Sequence, residues 1–101
     1  HVIDIVAITY LAMQKKLKNE IFNVSDDNPA SQVEVSEFAR SLSSSPPIKK
    51  VSLESNLISD MARSFYLEEK KVSNNLVKIK LGYAFKFPSF SEGLKDIYEK
   101  L

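Results

Sequence analysis

Apolar residues fill the beginning of the chain almost without interruption, from Val2 to Met13. They occupy nearly every direction around a helical wheel, whereas a surface helix of a small domain shows one apolar stripe. The run is roughly a dozen residues long, against the ~20 that a membrane span needs. It therefore predicts a buried helix that requires cover on more than one side, with Asp4 as its cap.

Later segments predict further helices. Ser31 and Glu34 form a capping box ahead of an amphipathic segment, and Ser89 and Glu92 form another ahead of the terminal segment. Between them, apolar residues repeat with helical period over 57–65. A short helix is predicted from a Ser73 cap to the region of Gly82, a residue suited to a helix C-terminus.

Short β-favouring runs separate these helices. They are Glu20 to Val24, Lys50 to Leu53, and the alternating segment from Tyr83 to Phe87. The chain is therefore predicted to be α/β, or α+β when taken as an isolated fragment. We expect about four helices with two to three short strands.

Composition narrows the class of protein. With 101 residues, 44% hydrophobic and 27% charged, the chain forms one modest core and leaves no room for a second domain. The net charge of +1 is spread evenly, so nothing favours nucleic acid or an anionic membrane as partner. The absence of cysteine excludes disulfides and thiolate chemistry and fits a reducing cytoplasm, where we expect the protein.

Three parts of the chain, in order, resemble one protein family. Residues 1–5 (HVIDI) are similar to a His-Val-Asp-Asp-Ile segment, and residues 22–30 (FNVSDDNPA) are similar to the strand and turn that follow it. Residues 70–74 (KKVSN), 80–83 (KLGY) and 87–94 (FPSFSEGL) look like the C-terminal end. The family is that of the extended short-chain dehydrogenase/reductases, which are NAD(P)-dependent epimerase and dehydratase-like proteins.

The resemblance implies that residues 1–101 are a single C-terminal fragment, the substrate-binding part of a Rossmann-type enzyme. The glycine-rich nucleotide loop of the family would lie upstream of His1, so the nucleotide-binding domain is absent here. The fragment is then inactive and holds no cofactor, and NAD or NADP belongs to the parent oxidoreductase or epimerase. Expected partners are the missing domain, further copies in a homo-oligomer, and a small-molecule substrate with an anionic group. The alternative is a free-standing interaction or oligomerisation module without catalysis.

Arg63 is the candidate substrate-binding residue. Counted back from Gly82, it lies where sugar-nucleotide epimerases of the resembled family have an arginine that holds a substrate phosphate. A planar, permanently charged guanidinium suits that task. The alternative is a surface arginine that lies over Phe65 or Met61. The surrounding MARS sequence departs from the family's Arg-Pro-Gly-Asp context, which speaks against a nucleotide sugar more than against an anionic substrate.

Other residues suggest chemistry more weakly. Tyr66 and Lys70 have the Tyr-x-x-x-Lys spacing of the family's catalytic pair, but they lie downstream of the HVIDI segment, whereas the family's pair lies upstream. His1 is the only histidine, which leaves no triad and favours a helix-entry role. The adjacent Asp26 and Asp27 favour turn hydrogen bonds over cation binding. We therefore predict no catalytic, cofactor-binding or metal-binding residue in the chain.

Overall fold

The computed structural model of the chain describes residues 1–52, 54–67 and 70–101. Five helices lie within these ranges: α1 Val2–Gln14, α2 Gln32–Ser43, α3 Asp60–Leu67, α4 Asn75–Leu81 and α5 Phe90–Glu99. None of the described residues forms a β-strand. The predicted α/β or α+β class with two to three strands is therefore wrong, and the described chain is all-helical.

The predicted strands fail because each lacks a neighbour. Backbone groups away from water need partners, and a strand obtains them from another strand. Within the predicted strand from Tyr83 to Phe87, the amides of Lys86 and Phe87 donate instead to the Asp4 carboxylate, at 2.8 and 3.0 Å. That polar side chain replaces a strand as the acceptor.

The other two predicted strands are also irregular. In the run from Glu20 to Val24, Phe22 packs against the core while Ile21 is 86% exposed, and no described strand lies alongside. The run from Lys50 to Leu53 is irregular through Ser52, and Leu53 lies outside the described residues. Apolar alternation thus marked segments that pack without pairing.

Capping decides where the helices begin. The Ser31 box is confirmed, because the Glu34 amide donates to Ser31 Oγ at 3.2 Å and the Ser31 amide donates to Glu34 Oε2 at 3.4 Å. The predicted Ser89 box is wrong, since the Ser89 side chain makes no cap hydrogen bond and lies 2.8 Å from Ser91 Oγ. Gly82 ends α4 with a left-handed φ of 62°, as its position predicted.

Helix α1 begins differently from the prediction. His1 is the N-cap, and its Nδ1 accepts a hydrogen bond from the Ile3 amide at 3.1 Å. The predicted Asp4 cap is wrong because the Asp4 carboxylate turns inward, away from the end of its own helix. A buried carboxylate at this position therefore serves tertiary structure.

The helices pack as two pairs, α1 on α4 and α2 on α5, and α3 packs on none of the other described helices. Ile8, Val77 and Leu81 form the buried centre of the first pair. In the second pair, the rings of Phe38 and Phe90 meet edge to face at 5.7 Å. Among the helices described here, none has the length and apolar content to cross a bilayer.

Candidate functional site

The Asp4 carboxylate is the centre of the first polar cluster. It is 2% exposed and accepts hydrogen bonds from the Tyr83 hydroxyl and from the amides of Lys86 and Phe87. We call these four residues the Asp4 cluster. Because three donors bond to the carboxylate, it is held in place as a hydrogen-bond acceptor.

Protonation within the Asp4 cluster follows from burial and hydrogen bonding. Burial opposes ionisation of Asp4, but the hydrogen bonds from Tyr83, Lys86 and Phe87 outweigh it and lower the pKa of the carboxyl below its ordinary value. Burial and the neighbouring carboxylate raise the pKa of Tyr83 to about 12. At neutral pH the pair is therefore a charged acceptor and a neutral donor, with no proton to exchange.

His1 joins α1 to α5 beside this cluster. Its ring stacks on Phe87 with centroids 4.1 Å apart, and its Nε2 lies 3.3 Å from Oδ2 of Asp96. Gly93 of α5 lies against the ring, where a Cβ would make an ordinary van der Waals contact of 3.6 Å with the imidazole. The predicted helix-entry role of His1 agrees with its position as N-cap.

A second polar cluster surrounds Asn74, which is 6% exposed. Its amide nitrogen donates to the Ser25 carbonyl at 2.9 Å and to Oδ1 of Asp27 at 2.7 Å. Asp27 also pairs with Lys78 at 2.5 Å, and its own amide donates to the Pro88 carbonyl. The bonds from Asn74 and then Lys78 lower the pKa of Asp27. We call Ser25, Asp27, Asn74 and Lys78 the Asp27 cluster.

The predicted substrate residue, Arg63, lies on α3, away from both clusters. Its guanidinium pairs with Asp60 at 2.8 Å and donates to the carbonyl oxygens of Ser55 at 3.0 Å and Ile58 at 3.4 Å. The side chain is 30% exposed. Arg63 thus holds the turn before its own helix and still presents part of its charge to solvent.

Tyr66 and Lys70 are not shown on one helix, because α3 ends at Leu67 and residues 68 and 69 lie outside the described part. Tyr66 is 46% exposed and meets the ring of Phe65 edge to face at 5.3 Å. The i, i+4 geometry that would let a lysine act on a tyrosine hydroxyl is therefore not seen in the described helix.

The paired acids at 26 and 27 are engaged in hydrogen bonds. Oδ1 of Asp26 accepts the Asn28 amide at 3.1 Å, the Asx pattern of a turn, while Asp27 belongs to its own cluster. Within residues 1–52, 54–67 and 70–101, no group of three or more acids, histidines or cysteines is placed to hold a metal ion.

A shallow apolar groove of about 500 Å³ runs between α1 and residues 22–24. Ile8, Ala12, Leu17 and Phe22 contribute to its floor and walls, and Lys16 lies at its edge. The apolar lining favours burial against another apolar surface.

Sequence reasoning missed three of the residues that organise the fold. Asn74 and Tyr83 lie in segments that carry the family resemblance but suggested no structural role, and Asp4 suggested a cap. A weak signal exists for Asp4, since a charged residue in an otherwise apolar helix must find partners if it is buried. The partners lie 79 to 83 residues further along the chain, and no local sequence pattern identifies them.

Comparisons with known proteins place the fold within a longer polypeptide. No family model and no curated protein matches this chain. Among solved structures, a functionally unknown conserved protein from Silicibacter pomeroyi matches 99% of the chain with a TM-score of 0.91 and 32% identity. The match covers 36% of that protein. The chain is thus similar to one part of a longer protein. It spans little more than a third of that protein's length.

Proposed function

We propose that this chain is the substrate-binding part of an NAD(P)-dependent oxidoreductase or epimerase-like protein and is inactive by itself. The nucleotide-binding domain, with NAD or NADP, would come from the rest of the parent protein. The cysteine-free composition supports a reducing compartment, the cytoplasm, as its location.

Contacts between the segments that resemble the family carry this proposal. Asp4 of the first segment holds Tyr83 and Phe87 of the last through the Asp4 cluster. Asp27 of the middle segment holds Asn74 of the last through the Asp27 cluster. Residues that carry the resemblance in sequence thus carry the buried polar contacts in space. Such contacts are costly to lose, because each would leave an unpaired buried group.

The exposed surface area of the chain is larger than that of a compact monomer, which supports a missing partner. A compact monomer of this mass, 11.4 kDa, exposes about 5,800 Å². This chain exposes 7952 Å². Its radius of gyration is 16.9 Å, against about 13 Å for a compact domain of this length. The surplus is large enough for an interface with a further domain.

The outer face of α1 is the exposed region whose side chains point most clearly to a missing partner. Val2, Val6, Tyr10 and Met13 are each more than 60% exposed, and no charged side chain lies among them. Single exposed apolar residues are ordinary, but a continuous uncharged face marks an interaction surface. The nucleotide-binding domain would cover this face and the adjoining groove.

Arg63 would supply the charge that holds an anionic group of the substrate. Its side chain is 30% exposed, and its bond to the Ser55 carbonyl ties α3 to the turn before it. A substrate phosphate or carboxylate would compete with Asp60, which is itself fully exposed at 101%. An exposed ion pair contributes little, so its exchange for a substrate anion costs little.

The longer solved protein is consistent with this arrangement. Nearly two thirds of it lies outside the part that this chain matches, since the match covers 36%. That remainder is long enough for a further domain. The alternative, a free-standing oligomerisation module, is favoured by the same uncharged face of α1, which would suit a second copy.

Determining the coding sequence upstream of His1 and measuring dinucleotide binding by the complete encoded protein tests the proposal. We expect a strand followed by a glycine-rich turn and a helix, with saturable binding of NAD(H) or NADP(H) by calorimetry. A start codon directly before His1, or a complete protein that binds neither dinucleotide, would overturn it and favour the module.

A further inference from the structure

The two ring nitrogens of His1 face different groups. Nδ1 accepts the Ile3 amide at 3.1 Å, and a nitrogen that accepts a hydrogen bond carries no proton. Nε2 is buried, lies 3.3 Å from Oδ2 of Asp96, and has no aligned hydrogen-bond partner. The imidazole that fits these contacts is neutral, with its proton on Nε2.

The ring has little room to turn. Its side chain is 4% exposed, with Phe87 stacked on one face and Gly93 against the ring. A ring flip, which exchanges Nδ1 with Cδ2 and Nε2 with Cε1, would break the contacts of both nitrogens and would require the stack on Phe87 to open. The assignment of acceptor and donor is therefore fixed by the packing as well as by the cap.

We propose that His1 is a pH-sensitive cap of α1. A second proton taken from solvent must bind Nδ1, which then points an N–H at the N–H of Ile3 and can no longer accept. The N-cap hydrogen bond is lost, while the positive charge on the ring is attracted to Asp96. Acidification thus releases the first turn of α1 and keeps the junction between α1 and α5.

The charged groups around the imidazole belong to three elements. Asp96 on α5 attracts the imidazolium but is shared with Lys100, whose Nζ lies 2.9 Å from each carboxylate oxygen. Asp4 on α1 has its oxygens occupied by the Asp4 cluster. Lys86 lies over the opposing Phe87 ring, 5.8 Å from its centroid, and disfavours a nearby positive charge.

Nuclear magnetic resonance on the chain with an acetylated N-terminus tests this cap, since acetylation removes the competing titration of the amino group. The nitrogen shifts of the imidazole report the tautomer at neutral pH. The Ile3 amide reports the cap, as its exchange rate divided by the rate expected for an unstructured peptide at the same pH. We expect the proton on Nε2, and at least a tenfold loss of Ile3 protection as His1 titrates between about pH 8 and 5.

Two variants serve as controls. His1→Asn retains a good N-cap with no titrating group, so protection of Ile3 should stay level across the same range. Asp96→Asn should move the loss of protection to lower pH, because the attraction for the imidazolium is gone. A proton on Nδ1 at neutral pH would overturn the proposal even if a variant fails to fold. Titration of His1 without any change at Ile3 would do the same.

Discussion

The Tyr83 hydroxyl donates to the Asp4 carboxylate across 79 residues of chain, and this bond joins the first helix to the segment that follows α4. The two groups shift each other in opposite senses. The carboxylate is favoured in its charged form and the phenol in its neutral form, so both lower the free energy of the folded state over the range in which those forms coexist.

The first prediction concerns the pH range of that stabilisation. Asp4 has a lowered pKa in the folded state, so its contribution is present above its unfolded value of about 3.9 and is lost as pH falls further. Tyr83 has a raised pKa of about 12, so its contribution is present below pH 10 and is lost as pH rises through 12. Absorbance of the phenolate, compared with that of Tyr83→Phe, should show Tyr83 ionising at about pH 12.

Asp4→Asn is the variant that isolates this pair. Removal of the negative charge should bring the Tyr83 titration closer to pH 10, while Tyr98→Phe, at a residue 46% exposed, should leave the Tyr83 titration unchanged. If Tyr83 ionises near pH 10 in the unmodified chain, the bond to Asp4 does not persist in solution.

The second prediction concerns Asn74. Its replacement by alanine leaves the Ser25 carbonyl and the Asp27 carboxylate without their shared donor. We expect a loss of about 1–3 kcal/mol in the free energy of unfolding, measured with urea. The neighbouring Asn75, which is exposed, gives the matched control, since Asn75→Ala should change stability by less than about 0.5 kcal/mol. Equal effects would show that the Asp27 cluster contributes nothing specific.

Local sequence signals predicted the helices but not the tertiary contacts between them. The Ser31 capping box, the apolar run of α1 and the glycine at the end of α4 act over a few residues, and all three lie where the pattern placed them. The strand near Tyr83 failed because its amides bond to Asp4, far away in sequence. A period-two pattern says which side chains are apolar, but it says nothing about whether a pairing strand exists.

The same distinction applies to the candidate site. Arg63 was singled out by its position relative to Gly82, and the structure places it on a helix that packs on no other described helix. No other described helix packs beside Arg63 to form a second wall of a site. The sequence can identify a charged residue that would line a pocket, but it does not show the shape of that pocket.

The third prediction is that the chain alone binds neither NAD(H) nor NADP(H). Its two glycines lie at the end of α4 and inside α5, and neither opens a helix onto a pyrophosphate. Titration calorimetry of the chain with each dinucleotide should give no saturable heat. A micromolar dissociation constant would show that the chain carries a nucleotide site of another kind.

The fourth prediction concerns Arg63 in the proposed parent enzyme. Arg63→Ala should weaken substrate binding by roughly ten- to a hundredfold, the loss typical of a charge-assisted hydrogen bond, and leave dinucleotide binding unchanged. Arg40→Ala removes the other arginine of the chain as a control. Asp60→Ala removes the carboxylate that pairs with Arg63 and should not weaken substrate binding. Unchanged substrate affinity in Arg63→Ala would leave Arg63 with its structural role alone.

A related test uses Tyr66, because Tyr66 and Lys70 have the sequence spacing of the catalytic pair in the resembled family. Tyr66→Phe in the parent enzyme should leave turnover nearly unchanged. A fall of two or more decades, measured at saturating substrate and cofactor, would make Tyr66 and Lys70 catalytic.

The last prediction is that the isolated chain self-associates. The outer face of α1 remains uncovered, and each large aliphatic residue left in water forgoes about 1.5–3 kcal/mol of burial. Several such residues rival the whole stability of a small domain, and a second copy recovers part of that free energy. Sedimentation equilibrium should therefore find a dimer or a larger species at micromolar concentration.

Exposed and buried positions on α1 separate association from folding. Val6→Asp, at a residue 62% exposed, should return the chain to a monomer with its helix content intact. Val33→Asp places the same change on α2, at a residue 51% exposed, and should leave the association in place. Ile8 is 4% exposed, so Ile8→Asp should unfold the chain instead. A monodisperse, cooperatively folding monomer of the unmodified chain would mean that the α1 face needs no cover.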